Sequence, residues 1–211
     1  MSLFLGKIHF WLFNKILWFE GLEDEIILLA NNEKLDIQKI NDEINLKYGL
    51  KLENKNLEEI IDTNNIHGWL QSRIHSSEGR IAAWTNFILE NDNQGLKHLE
   101  SIYVSQGVKA AKEVKSTQNL STAKEIYTSI NDYILDGMPC DRVNEVVTSD
   151  DETVQWKRRL CVHKDIWAKE GLDVSVFYNL RNLWIKAFVN ELNSNFEYKE
   201  IADGEYAINK K

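Results

Sequence analysis

The scarcity of helix-breaking residues most constrains the fold of this chain. One proline and ten glycines occur in 211 residues, so long stretches run without a residue that interrupts helical hydrogen bonding. Uninterrupted helical patterns cover residues 4–30, 65–91, 95–114 and 120–135, and a shorter one covers the segment LDIQKINDEINLKYG. The chain is therefore predicted to be mainly α-helical.

Two further helices and a hairpin are predicted in the C-terminal part. The segment DETVQWKRRLCVHKDIWAKEG begins with acidic residues and ends in Lys-Glu-Gly, and DVSVFYNLRNLWIKAFVNEL follows as the last long helix. The segment NFEYKEIADGEYAIN alternates apolar and polar residues around Ala-Asp-Gly, which is typical of a hairpin. The predicted fold is one helical domain over residues 1–211, a bundle of about five or six main helices with a short C-terminal β-hairpin at 195–209.

The composition narrows the class of protein and its partners. Hydrophobic residues make up 43% and charged residues 27% of the chain, as in soluble globular proteins. The formal net charge is −8 and no long Lys/Arg run occurs, which disfavours nucleic-acid binding. Two cysteines cannot form a disulfide scaffold and indicate a cytoplasmic protein. The apolar N-terminus is interrupted by Lys7 and Lys15, so no membrane span is predicted.

The helix predicted over residues 65–91 carries a polar stripe beside its apolar face. His67, Gln71, His75 and Glu78 follow one border of that face, and Arg73 lies on the other border. Helical bundles build internal sites from half-buried polar stripes next to an aromatic core. This helix is therefore predicted to contribute to a ligand-binding or catalytic site.

The stripe also suggests a metal hypothesis. His75 and Glu78 are three residues apart, which suits a shared metal or a hydrogen-bonded acid/base pair. With His67, and with His9 and Glu20 from the first helix, they would form a two-helix site for a divalent transition metal. The alternatives are a polar core network without a ligand and a site that binds a ligand without metal.

The proline directs attention to Cys140. Pro139 is expected to open a short helix, because its missing N–H is not needed at a first helical position. Cys140 would then lie in the first turn, where the helix dipole and Arg142 favour the reactive thiolate, while Asp136 and Asp141 disfavour it. Cys140 is thus a candidate nucleophile, and the alternative is an ordinary turn with a structural cysteine.

Cys161 and His163 are the second Cys/His grouping. If their segment is helical, two residues of separation direct them to nearly opposite sides. They are then expected to join residues from other helices instead of each other. The sequence has no glycine-rich phosphate loop, no G-x-S-x-G, no H-E-x-x-H and no CxxC, which disfavours nucleotide hydrolysis, serine hydrolysis and structural zinc.

These features predict a small-molecule enzyme or ligand-binding protein with a site between the helix of residues 67–78 and the segments 140–145 and 161–163. The predicted catalytic set is Cys140, His75, Glu78, Arg142, Cys161 and His163; the predicted ligand-binding set is His67, Gln71, Arg73 and Asp141. One alternative is an acidic helical protein that binds a protein partner without catalysis. The other is the metal-binding bundle.

A family resemblance adds to this interpretation. Cys161 before a helix that ends in glycine, the aromatic helix to Leu192, the segment LNSNFEY and the closing DGEY occur in order over about residues 160–208. This part resembles the end of small bacterial proteins related to L-2-amino-thiazoline-4-carboxylic acid hydrolase. Val176 and Ala207 stand where the family pattern has cysteines. The resemblance implies a small helical domain that hydrolyses a small sulfur- or amine-bearing substrate.

Overall fold

A computed structural model describes residues 5–211. In that part of the chain, eight α-helices precede and flank four strands. The helices are α1 (Lys7–Asn32), α2 (Gln38–Tyr48), α3 (Leu57–Ile60), α4 (Ile66–Asn91), α5 (Gly95–Thr117), α6 (Ala123–Ile130), α7 (Lys164–Ala168) and α8 (Val174–Leu192). The strands are β1 (Asn144–Ser149), β2 (Thr153–Arg158), β3 (Phe196–Ala202) and β4 (Glu205–Lys210). The prediction of a mainly helical protein is confirmed.

The long helices begin and pack as their sequences indicate. Asn65 caps α4 by accepting a hydrogen bond from the Gly68 N–H at 3.2 Å, and Asp173 caps α8 through the Ser175 N–H at 2.9 Å. The predicted apolar face of α4 is buried along its whole length, from Ile66 to Ile88. Helix α5 packs along α8, while α1 and α2 pack on α4. The start of the first predicted helix, residue 4, lies outside the described residues.

The strands form one antiparallel sheet in the order β1-β2-β4-β3. The predicted C-terminal hairpin is β3–β4, and its turn uses Gly204 at φ +72°. The sheet is larger than predicted because β2 pairs with β4 and carries β1 on its other edge. Helix α6 packs on β2 and β4, and α8 packs on β3.

The helix predicted over residues 151–171 is wrong. The structure has strand β2 there, then a loop, and then only the short helix α7. Val154 and Trp156 are buried while their neighbours are less so, which is the two-residue period of a strand. The Asp150 carboxylate accepts hydrogen bonds from the N–H groups of Glu152 and Thr153 and holds the β1–β2 turn. The helix predicted to reach residue 135 ends at Ile130.

None of the helices in residues 5–211 is long and apolar enough to cross a membrane.

Candidate functional site

A buried histidine lies between two carboxylates where three parts of the chain meet. Glu78 is in the middle of α4, Asp136 follows α6, and His163 immediately precedes α7. His163 Nδ1 is 2.7 Å from Glu78 Oε1, and His163 Nε2 is 3.2 Å from Asp136 Oδ1. His163 is only 1% exposed. Both nitrogens of the ring are therefore engaged, each with a different carboxylate.

Further donors hold the two carboxylates in place. Trp167 Nε1 donates to Glu78 Oε1 at 3.1 Å. The Arg181 guanidinium and the Asn144 amide both donate to Asp136 Oδ2, at 2.6 and 2.8 Å. Glu78, His163, Asp136 and Arg181 thus form a continuous chain of alternating charges, here called the buried charge chain.

The charge chain keeps His163 protonated. Burial alone would lower the pKa of His163, but the carboxylates of Glu78 and Asp136 outweigh it and raise that pKa to about 9. Burial opposes ionisation of Asp136, yet Arg181 and His163 hold its pKa well below the usual range. An imidazolium that donates from both nitrogens has no lone pair with which to accept a proton. In this state both nitrogens of His163 are occupied, one by Glu78 and the other by Asp136.

An apolar pocket adjoins the Arg181 end of this chain, between α1, α5, α8 and the residues after α6. Aromatic side chains form most of its wall: Trp18, Phe19, Tyr103, Tyr133, Phe177 and Trp184. Gln106 is fixed in the wall, because it accepts from Trp184 Nε1 at 2.9 Å and donates to the Trp18 carbonyl at 3.0 Å. Arg181 is the one charged residue among its described lining.

Three buried donors of this pocket have no hydrogen-bond partner within residues 5–211. They are Trp18 Nε1, Tyr103 Oη and Arg181 Nε. Tyr103 and Arg181 are 2% and 5% exposed. Burial, and then the Glu78 carboxylate, raise the pKa of Tyr103 far above its usual range, so its hydroxyl keeps its proton. Buried polar groups are rarely left unpaired, because each one forfeits its hydrogen bonds to water. All three belong to residues that line one pocket, which indicates a place for a ligand with hydrogen-bond acceptors.

The predicted site residues are only partly brought together. Glu78 and His163 are bonded as described above. Cys161 is nearby: Tyr178 Oη donates to its Sγ at 3.2 Å, and the Tyr178 ring meets the His163 ring edge-on at 5.8 Å. The segment of Cys161 and His163 is a loop and not helical, so the argument that the two residues face opposite ways does not apply.

The other residues of the polar stripe of α4 are not part of this charge chain. His67 and His75 are exposed; Gln71 Nε2 is 2.8 Å from His75 Nε2, and His67 Nε2 is 3.3 Å from His9 Nε2. Arg73 is partly buried, with its guanidinium 5.9 Å from the centre of the Trp69 ring. Within residues 5–211, Glu78 bonds His163 and Trp167 and forms no hydrogen bond with His75.

The predicted metal ligands are likewise dispersed. His9 pairs with His67, while the buried Glu20 accepts from the Leu52 N–H at 3.3 Å. Within residues 5–211, no three His, Cys, Asp or Glu side chains are grouped so that they could hold a metal ion.

The segment around Cys140 forms a single turn at the surface. A short helix opened by Pro139 was predicted, and the structure has a 3-10 turn over Pro139–Asp141. Cys140 is exposed in this turn. Asp141 accepts from the Met138 N–H at 2.8 Å, and Arg142 adopts a left-handed conformation with φ +50°. No hydrogen bond joins Cys140 or Arg142 to the buried charge chain in the described part of the protein. One turn also has too few aligned peptides to favour a thiolate strongly.

Several residues of the charge chain and the pocket were not predicted: Trp18, Tyr103, Asp136, Trp167 and Arg181. Arg181 had a readable signal, since it interrupts the apolar face of α8 between Phe177 and Trp184. A charged residue on an apolar helix face has to be paired when it is buried. Asp136 had no such signal, because it lies in a loop.

In comparisons with known proteins, no family model, curated protein or solved structure matches the chain.

Proposed function

We propose that this protein binds a small molecule in the aromatic pocket between α1, α5 and α8. The observation that carries the proposal is the group of three unpaired buried donors, Trp18 Nε1, Tyr103 Oη and Arg181 Nε, on residues that line one pocket. A ligand that accepts hydrogen bonds from these atoms recovers interactions that the folded chain leaves unmade. The apolar walls supply the remaining affinity through burial of the ligand's own apolar surface.

The pocket takes only the narrow end of such a ligand. Its free volume is about 20 Å³, enough for one or two water-sized groups. A wider groove of about 340 Å³ lies beside it between α1 and α5, and the two share Trp18 and Gln106 as walls. We therefore expect the body of the ligand to lie in the groove and its acceptor end to reach the inner donors.

Binding is favoured over acid–base catalysis by the state of His163. Both of its nitrogens are bonded to carboxylates, and its pKa is raised to about 9. The hydrolase activity implied by the family resemblance stays a prediction, with the half-buried Cys161 as the thiol nearest to this region. The protein-binding and metal-binding alternatives also stay predictions.

A fragment screen read by NMR tests the proposal. Fragments with neutral, acidic and basic groups are added to the protein, and the indole N–H signals of Trp18 and Trp184 are followed, after assignment with Trp→Phe variants. We expect at least one fragment to shift both signals. If no fragment at millimolar concentration moves either signal, the proposed pocket is not a binding site.

Substitution of Tyr103 separates a ligand-binding hydroxyl from a structural one. Tyr103→Phe removes an unpaired donor, so we expect unchanged or slightly higher stability in urea and about tenfold weaker fragment binding. The matched control is Tyr198→Phe, because the Tyr198 hydroxyl donates to Asn182 Oδ1 at 2.7 Å outside the pocket. The control should lose about 1 kcal/mol of stability and keep its binding. A large loss of stability in Tyr103→Phe with binding intact would contradict the proposal.

A further inference from the structure

We propose that the ligand of the aromatic pocket is a hydrophobic monocarboxylate without an amino group. This inference rests on the proposed function and names the ligand class. The donors, the charges and the walls around Arg181 each contribute one part of it.

The unpaired atoms select for acceptors. Trp18 Nε1 and Arg181 Nε can only donate, and the Tyr103 hydroxyl also has a proton to give. A carboxylate presents two oxygens with about four lone-pair sites, so it can accept from several donors around one pocket, including the unpaired Arg181 Nε–H. An amino group would bring further donors to a place that already has a surplus of them.

The buried groups near the pocket include more positive than negative charges. Glu78 and Asp136 are matched by His163 and Arg181 along the buried charge chain. Lys15 adds a third positive group: it is 5% exposed and forms no ion pair within residues 5–211, and its Nζ lies 4.0 Å from the centre of the Trp11 ring. The region therefore holds one positive charge more than its buried carboxylates balance.

Lys15 lies one helical turn before the first pocket residues of α1. It precedes Trp18, Phe19 and Leu22 by three, four and seven residues, so it shares the face of α1 that lines the pocket. Burial lowers the pKa of Lys15 to about 8, against the attraction of Asp136 and Asp132. It therefore remains mostly protonated at neutral pH. Asp132 is exposed and accepts from Trp11 Nε1, so water screens much of its charge.

The walls determine the rest of the ligand. No Asp or Glu is among the described lining of the inner pocket, and the Gln106 carbonyl is already bonded to Trp184. An ammonium group beside the carboxylate would therefore meet Arg181 without a counter-charge, and an unpaired charge in an apolar site is strongly disfavoured. In the groove, the exposed Glu25 and Lys109 have opposite charges, so the groove offers an ammonium group no net negative charge. Aromatic or branched aliphatic carbon suits the apolar part of the groove, which Leu17, Trp18 and Ile102 form. This class differs from the amine-bearing substrate that the family resemblance implies.

A matched ligand series tests the charge. Phenylacetate, phenylacetamide and phenethylamine have the same ring and differ at the end that would meet the donors. The compounds are titrated at pH 7 and followed by the Trp18 and Trp184 indole signals. Phenylacetate should bind at least tenfold more tightly than phenylacetamide, and phenethylamine should not shift the signals.

Two results would contradict the carboxylate class and leave the pocket itself standing. One is that the amide or the amine binds as tightly as the acid; the other is that no acid is among the fragments that shift Trp18. If no compound of any class shifts the signals, the proposed function fails instead.

Removal of the unpaired lysine tests the charge surplus without touching the donors. Lys15→Met keeps the apolar stem and removes the charge, so phenylacetate affinity should fall about tenfold and phenylacetamide affinity should stay the same. Lys124→Met removes an exposed lysine of α6 and should change neither affinity. Equal affinities of Lys15→Met and the unmodified protein for phenylacetate would overturn the role of this charge, and urea unfolding shows whether each variant is folded.

Discussion

His163 shows how neighbouring groups determine what a histidine can do. Among the histidines of residues 5–211, His163 alone is buried between two carboxylates. Two buried anions require a cation between them, since an unpaired buried charge costs several kcal/mol. The same contacts remove the free lone pair that a general base needs. In the structure, the imidazolium of His163 balances the charge of Glu78 and Asp136.

The protonation of His163 can be measured directly. We expect both ring N–H protons of His163 to give NMR signals at pH 7.5, and the ring to lose its proton only near pH 9. Asp136→Asn removes one of the two stabilising anions and should lower the pKa of His163. Loss of the ring proton below pH 6.5 in the unmodified protein would show that the two carboxylates do not hold it as a cation.

At the scale of secondary structure, the sequence predicted the elements that depend on local pattern. Helices α4 and α8 and the β3–β4 hairpin follow from apolar periodicity, caps and an Asp-Gly turn. Strand β2 was missed because its segment begins with acidic residues and ends in Lys-Glu-Gly, which is the charge pattern of a helix. Val154 and Trp156 nevertheless alternate with polar residues, as in a strand. That alternation becomes decisive only when β4 supplies a strand to pair with, which is a tertiary effect.

The candidate site was less predictable than the elements for the same physical reason. Glu78 and His163 were proposed from residue type, but their contact joins positions 85 residues apart. The unpaired Tyr103 hydroxyl cannot be read from a sequence, because being unpaired depends on everything packed around it. Local pattern therefore indicated which residues are unusual, while packing decided which of them meet.

The contact between α5 and α8 depends on a glycine. A Cβ at Gly107 would lie 2.4 Å from the Trp184 carbonyl oxygen, far inside van der Waals contact. We expect Gly107→Ala to lower the free energy of unfolding by about 1–3 kcal/mol, through overpacking that outweighs the better helix propensity of alanine. Gly21→Ala in α1 is the control, because its Cβ meets only the Gln106 amide at 3.4 Å. Urea unfolding of both variants checks the difference, and equal stabilities would mean that the two helices can separate without cost.

At the scale of the whole molecule, the buried charge chain ties the sheet to the bundle. Asp136 lies before β1 and His163 lies after β2, while Glu78 and Arg181 belong to long helices on either side. An aromatic cluster makes the second link: the Trp156 ring of β2 lies 4.8 Å from Tyr127 of α6 and 5.7 Å from Tyr206 of β4. The sheet is thus coupled to the helices both by buried charge and by aromatic packing.

The stability of the whole molecule should depend on pH through a few buried groups. Burial raises the pKa of Glu20 to about 7, although Lys51 and the Leu52 N–H oppose the shift. The folded state therefore holds a proton that the unfolded chain releases near pH 4.5, and stability falls as pH rises from 4.5 to 7. His163, with its raised pKa, contributes fully below pH 6.5 and loses its contribution as pH rises through 9. Asp136, with its lowered pKa, loses its contribution as the solution becomes strongly acidic.

These signs together predict a maximum of stability in mildly acidic solution, near pH 5. The free energy of unfolding in urea should therefore be higher at pH 5 than at pH 8. Burial lowers the pKa of Lys15 to about 8, so Lys15 should restore some stability only above that pH.

The variant Glu20→Gln tests which group causes the decline. It should abolish the decline between pH 4.5 and 6.5 and gain roughly 2–3 kcal/mol of stability at pH 8. The decline that His163 causes above pH 6.5 should remain. The exposed Glu25→Gln is the control and should leave the profile unchanged. Stability that stays level or rises from pH 5 to 7 in the unmodified protein would contradict the burial of a protonated Glu20. A decline that survives in Glu20→Gln would instead assign the effect to another group.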